Sequence, residues 1–493
     1  MAEASLTLRL AARKPRTVVG EGIVLDVAHQ LHAELEMETV DLNRGRTEVL
    51  VSALDGGEYG NRVLTGEDYM VLHRHPPLTP VGTRFVAPAG SAWTVQLELC
   101  KYARPLPAGK YRIEMTYRWG QGEADVVHTG PVTVEILPAT VRQLESRWLG
   151  GANARERLSS LWIAETGDGP RWVYQQAMPH DPSVPETASD LTVAGASPLG
   201  PVQLAHLNDI APMHWERFAC WREQGGMGFV KVTPYGRSGA PGVAPLELLE
   251  PRLVEPPLQS RANALQALWV GAGSSGPVAL WVEVDREGKS RQRTFALPGR
   301  MPIAAAAAWT KDEESLSATL FLVESGELGT LRLKTVRLPT GEETILRESE
   351  AELVSLEIDQ WMGFAWVHLL TKVREKDPRT GEPVERLEVA RWTVEEGAVA
   401  AGRTWNLPLA PDGLLLEELR QSVSLPDGGG LALLFQKPDG WIVCTEQDRA
   451  RVSPPADAKV RHPHLASTPA GLCFVFHEDE HGFSALPVFE RRG

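Results

Sequence analysis

Cysteine is scarce in this chain of 493 residues: there are four, at positions 100, 220, 444 and 473. They form no CxxC pair and no finger-like spacing, which excludes a disulfide framework or a zinc finger as the organising feature. Each lies in or beside an apolar segment, as in "FACW", "WIVC" and "GLCFVF", and reads as a small buried hydrophobe in a reducing compartment. Positive charge is also in short supply. Lys and Arg number 50 against 64 Asp and Glu, giving a net charge of −14, and no sustained basic patch breaks the pattern. An acidic surface repels phosphate backbones and anionic lipid heads, so neither nucleic acid nor a membrane surface is an expected partner. Long hydrophobic runs are missing too. No segment reaches transmembrane length, and "MAEASLTLRLAARKPR" lacks the continuous apolar core of a secretory signal. The expected location is the cytoplasm.

What is present is ordinary for a folded soluble protein: 43% hydrophobic and 23% charged residues. The length is too great for one ordinary core, which leaves two to four domains or a repeat array. Over residues 1–139 short alternating strands are separated by polar or Gly/Pro turns, among them "SLTLRLAA", "IVLDVAHQL", "TEVLVSAL", "SAWTVQLEL", "KYRIEMTYRW" and "VVHTGPVTVEIL". Seven or eight such strands in this length predict an antiparallel sandwich. The phrase "PLPAGKYRIEMTYRW" (105–119) resembles a turn-then-strand of bacterial immunoglobulin-like domains. The resemblance implies an Ig-like β-sandwich in which Pro107 and Gly109 turn the chain and Tyr111 bonds back onto the turn, as in a tyrosine corner.

From residue 140 onward one pattern recurs. A strand with a central bulky residue appears as "SLWIAE" (Trp162), "ACWRE" (Trp221), "ALWVG" (Trp269), "TLFLVE" (Phe321), "FAWVHL" (Trp366), "LALLFQ" (Leu434) and "LCFVFH" (Phe474). The anchors are 40 to 68 residues apart, and most are followed by a turn and a further strand. This resembles the blade repeat of WD40- and Kelch-like β-propellers, with about 40–50 residues per four-stranded blade. The resulting expectation is an all-β chain: an Ig-like β-sandwich over 1–139 and a β-propeller over 140–493, with seven blades favoured and six or eight as alternatives. The final unit looks one strand short, and "TVRQLESRWL" (140–149) is a candidate to complete it and close the ring. Because the anchors recur once per unit, their bulk is expected to wedge neighbouring blades together rather than to serve as sugar platforms.

Chemistry-bearing residues are few. In "RHPHLASTPAGLCFVFHEDEHGF" (461–483), a hairpin would bring His462 and His464 to the end where His477 and His481 flank three carboxylates. That set would suit zinc or another first-row divalent ion, the one candidate cofactor. The pair "HRHPP" and the loop "HLNDIAPMHWE" read as surface features, and "GAGSSG" (271–276) as a hairpin turn, since it lacks the Lys-Ser/Thr of a phosphate loop. The longest charged hairpin, "LLTKVREKDPRTGEPVERLEV", alternates signs and offers Lys372, Arg374, Lys376, Arg379 and Glu382 as a recognition finger, because insertions in repeat proteins map to one binding face. The reading that follows is a non-catalytic interaction or scaffold protein presenting propeller-face loops to a protein partner. A metal-dependent hydrolase or lyase at the propeller mouth, and a glycan-binding propeller, are the alternatives.

Overall fold

The computed structural model describes residues 6–38, 47–54, 62–64, 79–81, 84–99, 106–118, 126–148, 158–178, 181–207, 217–233, 236–259, 264–310, 317–326, 329–361, 364–376, 381, 383–407, 414–425, 430–454, 459–468, 471–478 and 482–490. Among these there is no α-helix; the chain is all-β. It follows that no helix is long and apolar enough to cross a membrane.

Strands before residue 138 build three sheets: a small one of Leu35–Glu38, Arg84–Ala87 and Thr79–Val81, and two larger ones that face each other. Leu6–Ala12, Val24–Leu31 and Ala92–Glu98 form one; Arg16–Val18, Val132–Leu137, Gly109–Arg118, Thr47–Ala53 and Arg62–Leu64 form the other. Period-two alternation puts Leu6, Leu8, Leu25 and Val27 of the first sheet against Val49, Val51, Ile113 and Val134 of the second, all buried in one core. Tyr111 is buried at the edge of that core, and its hydroxyl donates to the Pro107 carbonyl at 2.9 Å, the bond expected of a corner tyrosine. The segment "VVHTGPVTVEIL" divides into two strands, Val126–His128 and Val132–Leu137, both pairing with Gly109–Arg118.

After residue 139, the described residues form seven successive antiparallel strand groups, each a small sheet, with the third and fourth joined by one parallel bridge, Glu255 to Ala306, into a nine-stranded whole. Their first strands are Thr140–Trp148, Gln203–Leu204, Leu249–Gln259, Ala304–Trp309, Glu352–Trp361, Leu419–Ser424 and Val460–Thr468. Their second strands are Leu158–Thr166, Arg217–Glu223, Leu265–Gly273, Ala318–Ser325, Phe364–Lys376, Leu431–Lys437 and Gly471–Glu478. Second strands are buried on both faces: Leu158–Thr166 and Ala318–Ser325 each carry seven consecutive buried residues. They are apolar because each sheet packs against a neighbour on either side. Fourth strands such as Ser290–Ala296 and Glu342–Ser349 are polar and mostly exposed.

One apolar cluster joins each pair of neighbouring sheets, and the set closes on itself. Trp172 and Trp221 meet edge to face at 4.9 Å between the first and second sheets, as Trp281 and Trp309 do between the third and fourth. Between the seventh and the first, Cys473, Val475 and Phe483 pack against Trp162 and Val173. Consecutive sheets wedged face to face in a closed ring are the architecture of a β-propeller.

Two expectations need correcting. The strand Thr140–Trp148 does not complete the last sheet; it pairs with Leu158–Thr166 as the first strand of the first sheet, and the last sheet has three strands among the described residues. Its alternation marks a strand but does not say which edge it will pair with. The seven anchors are also not equivalent. Trp162, Trp221, Trp269 and Phe474 face the preceding sheet, whereas Phe321 and Leu434 face the following one. Trp366 is only half-buried and stacks on exposed Phe364. Strands that are apolar on both faces have no alternation to fix their phase, and one residue of slip exchanges the faces.

The front sheets are docked onto the ring at the seam between its first and last sheets. Val18, Leu137 and Ala139 enter the same cluster as Trp162 and Phe483. Lys14 bonds Asp190 at 2.5 Å and Glu21 at 3.0 Å, and Arg16 bonds Asp168 and Glu135, each at 2.8 Å. Burial would raise the Asp190 carboxyl, but hydrogen bonds from Lys14 and Thr192 outweigh it and hold the group below the usual carboxylate range. Gly20 lies directly against Gly482 and the Trp162 ring.

Candidate functional site

The inner strands line the axis of the ring, and polar side chains on them join sheet to sheet. Gln143 donates to the Val202 carbonyl at 3.1 Å, and Gln203 donates to Glu255. The Trp309 indole donates to the Pro256 carbonyl at 2.8 Å, and Gln360 makes a two-way bond with the Trp309 backbone at 2.7 and 2.9 Å. Ser422 donates to Glu357 at 2.7 Å, and the Leu465 amide donates to Gln421 at 2.6 Å. His462 completes the circuit, its Nε2 donating to the Val141 carbonyl at 2.8 Å. Every neighbouring pair of sheets is therefore tied by a side-chain bond at the axis as well as by its apolar cluster. Each such bond is worth about 1 kcal/mol net and specifies the register of sheets that hydrophobic contact alone would leave free to slide.

Of the histidines proposed as metal ligands, His462, His464 and His477 lie among the described residues, on the paired strands Val460–Thr468 and Gly471–Glu478. His462 sits at a positive φ of 48°, within an irregularity that shifts the pairing between Arg461 and His464. It turns to the first sheet, and His464 Nδ1 donates to the His462 carbonyl at 2.9 Å. His477 is fully buried with its ring 5.2 Å from that of Trp162, in the seam itself. His481 lies outside the described residues. Among the described residues, no three His, Cys, Asp or Glu side chains converge as a metal site would require. Cys220, Cys444 and Cys473 are buried, and burial pushes the Cys444 and Cys473 thiols up to about 11. They are inert packing groups rather than nucleophiles; Cys100 lies outside the described residues.

The charged hairpin forms as a protrusion. Phe364–Lys376 and Pro383–Glu395 pair along their whole length, thirteen residues each. The flanking strands stop pairing at Lys372 on one side and Leu387 on the other. Residues 373–376 and 383–386 therefore stand beyond the sheet as a two-stranded ribbon. Glu385 accepts from Lys372 at 2.9 Å and from Arg374 at 3.0 Å, which holds its carboxyl below the usual range, and Arg386 pairs with Glu375 at 2.5 Å. Cross-strand ion pairs of this kind keep a ribbon straight and soluble. Val384 is 46% exposed on it. Lys376 is exposed, and Arg379 and Glu382 lie outside the described residues. The links between second and third strands put this ribbon on the same rim as the 166–169 turn and the strand ends at Glu478 and Gly482, the rim to which the front sheets dock.

Two buried imidazoles make stability depend on pH. His368 is fully buried between the fifth and sixth sheets, bonded through Nδ1 to Ser424 at 2.8 Å. Burial, helped by the Arg391 charge, lowers it from 6.5 to about 3. His29, stacked on Trp93 at 4.7 Å, is lowered by burial to about 4. Both are neutral in the fold, while the unfolded chain takes up protons near pH 6.5. The unfolded state binds more protons between those values, so this stability is complete above pH 6.5 and is lost as pH falls toward 4. The loss approaches about 1.4 kcal/mol per pH unit for each histidine. Denaturant midpoints measured between neutral and mildly acidic pH should show it, and His368→Leu should remove roughly half of the slope.

No family model and no curated protein matches the chain. Solved structures with similar folds include Kuenenia stuttgartiensis hydrazine synthase, at 10% identity over 68% of this chain and 93% of that one, with a TM-score of 0.39. The β-propeller domain of Myceliophteria thermophila Cps50 (Swd1) is similar at 10% identity over 71% and 99%, TM-score 0.40. TolB from Acinetobacter baumannii is similar at 10% identity over 69% and 74%, TM-score 0.32. At these scores the likenesses carry no functional argument.

Proposed function

We propose that this is a non-catalytic protein-interaction scaffold: an Ig-like sandwich over residues 1–139 and a seven-bladed propeller over 140–493, in which the ribbon of the fifth blade engages a protein partner. The observation that carries the reading is the ribbon itself. It extends beyond its sheet, adds nothing to the core of the ring, and is pre-ordered by its own ion pairs, so that little conformational entropy is lost on docking. Propeller loops on one rim commonly serve as such a surface.

The test is affinity purification from the native host with two baits, the full chain and a variant in which residues 374–385 are replaced by Asn-Gly, a two-residue turn that closes the hairpin between Val373 and Arg386. A chain that co-purifies in fixed ratio with the full bait, and is lost with the shortened one, supports the reading. Identical co-purifying sets from two folded baits would refute it.

A further inference from the structure

We propose that a hollow in the inner wall, where the third, fourth and fifth sheets meet, binds a small zwitterion with an aliphatic body, about the size of a dipeptide. The hollow has a volume of about 330 Å³. It exists because the inner strand of the fourth sheet is alanine from 304 to 308, next to strands that place Leu253, Leu356 and Ile358 at the same level. Replacing leucine or isoleucine by alanine along a wall removes several carbons per position, and here the missing volume is open to the axis. Its size lies at the small end of ligand sites, which sets the occupant at one or two amino-acid units.

Three charged groups line this apolar floor: Arg252, Glu255 and Glu357. Arg252 donates from one nitrogen to the Ile303 carbonyl at 3.3 Å, and among the described residues it forms no ion pair. Its planar fork therefore remains available to a carboxylate, the partner it grips through two parallel bonds. The two glutamates are oriented from neighbouring sheets, Glu255 by Gln203 and Glu357 by Ser422. Each presents a carboxylate at the hollow, the chemical class that pairs with an ammonium. Gln203 is 6% exposed, and its Oε1 has no hydrogen-bond partner. Gln203 does not itself line the hollow; it acts there only by fixing Glu255. Opposite charges fixed at one cavity, over a floor with no polar side chain of its own, match a molecule that carries both charges and an aliphatic middle.

Isothermal titration of the full chain with alanyl-leucine, its N-acetyl form and its C-terminal amide tests the proposal. The free dipeptide should bind, and blocking either end should weaken binding about tenfold or more. Arg252→Ala should weaken the free dipeptide by the same factor while leaving the amide unaffected, because the amide has no carboxylate to lose. Glu255→Gln should act in the same way on the ammonium end. Arg252→Lys, which keeps the charge but not the fork, should fall in between. Arg252 is an exposed side chain, and Glu255→Gln keeps an oxygen that can accept from Gln203, so denaturation midpoints should shift little beside these effects. No heat of binding in the millimolar range, equal affinity for the dipeptide and its amide, or wild-type affinity in Arg252→Ala would each overturn it.

Discussion

Gly482→Ala is expected to cost about 3 kcal/mol or more, far above the usual price of one methyl group in a surface turn. Gly482 has φ +80°, and a Cβ there would lie 2.5 Å from the Gly20 Cα and 2.9 Å from its nitrogen. The left-handed conformation alone costs a non-glycine residue about 1–2 kcal/mol. The clash adds more because it is with backbone, which has no rotamer to change. The front sheets must move off the seam, taking Val18 and the Lys14 and Arg16 ion pairs with them. Gly288→Ala separates the two causes. Gly288 has nearly the same φ, +82°, but nothing within 4 Å of the added methyl, so it should lose only the conformational part. Urea denaturation of the two variants measures the difference, and equal losses would show that the contact between Gly20 and Gly482 contributes nothing.

Lys334→Met is expected to lose about 3–5 kcal/mol. The Lys334 and Glu324 side chains are 1% and 4% exposed and pair at 2.6 Å, with Glu343 adding a second carboxylate at 3.2 Å and the Pro298 carbonyl a third acceptor. Methionine keeps the aliphatic stem and the packing but leaves Glu324 charged and uncompensated in the interior. Adding Glu324→Leu removes that stranded charge, so the double variant should recover most of the loss. A denaturant series on wild type, both single variants and the double variant measures the coupling. A single-variant loss no greater than that of a surface substitution, under about 0.5 kcal/mol, would mean that water reaches the pair.

How far the fold was legible differs from element to element. The second strands could be read because burial on both sides demands near-continuous apolar runs, and Trp162, Trp221 and Trp269 each fall within one. For Phe321, Trp366 and Leu434 the same property hid the face: both phases of the strand are apolar. The corner bond of Tyr111 was readable because a turn and a strand start adjoin in sequence. The seam was not. It joins residues about 320 to 460 positions apart in the chain, His462 with Val141 and Gly20 with Gly482, and no local pattern encodes such pairs. His462 stood out in sequence for its imidazole chemistry, but its bond to the Val141 carbonyl across the seam has no local signature. A signal was available in Gln143, Gln203, Gln360 and Gln421, glutamines on inner strands that would otherwise be expected to be apolar. The run of alanines at 304–308 was likewise visible, but a deficit of volume becomes a hollow only once the neighbouring strands are in place.

The most direct test of the closed ring is amide hydrogen exchange, resolved by peptide, across the second strands of all seven sheets. A ring held at every junction predicts that Leu158–Thr166 and Gly471–Glu478, which flank the seam, exchange as slowly as Leu265–Gly273 or Ala318–Ser325 on the far side. Exchange at Gly471–Glu478 faster by orders of magnitude than in the other six would mean that the last sheet opens on its own and that the ring is not closed.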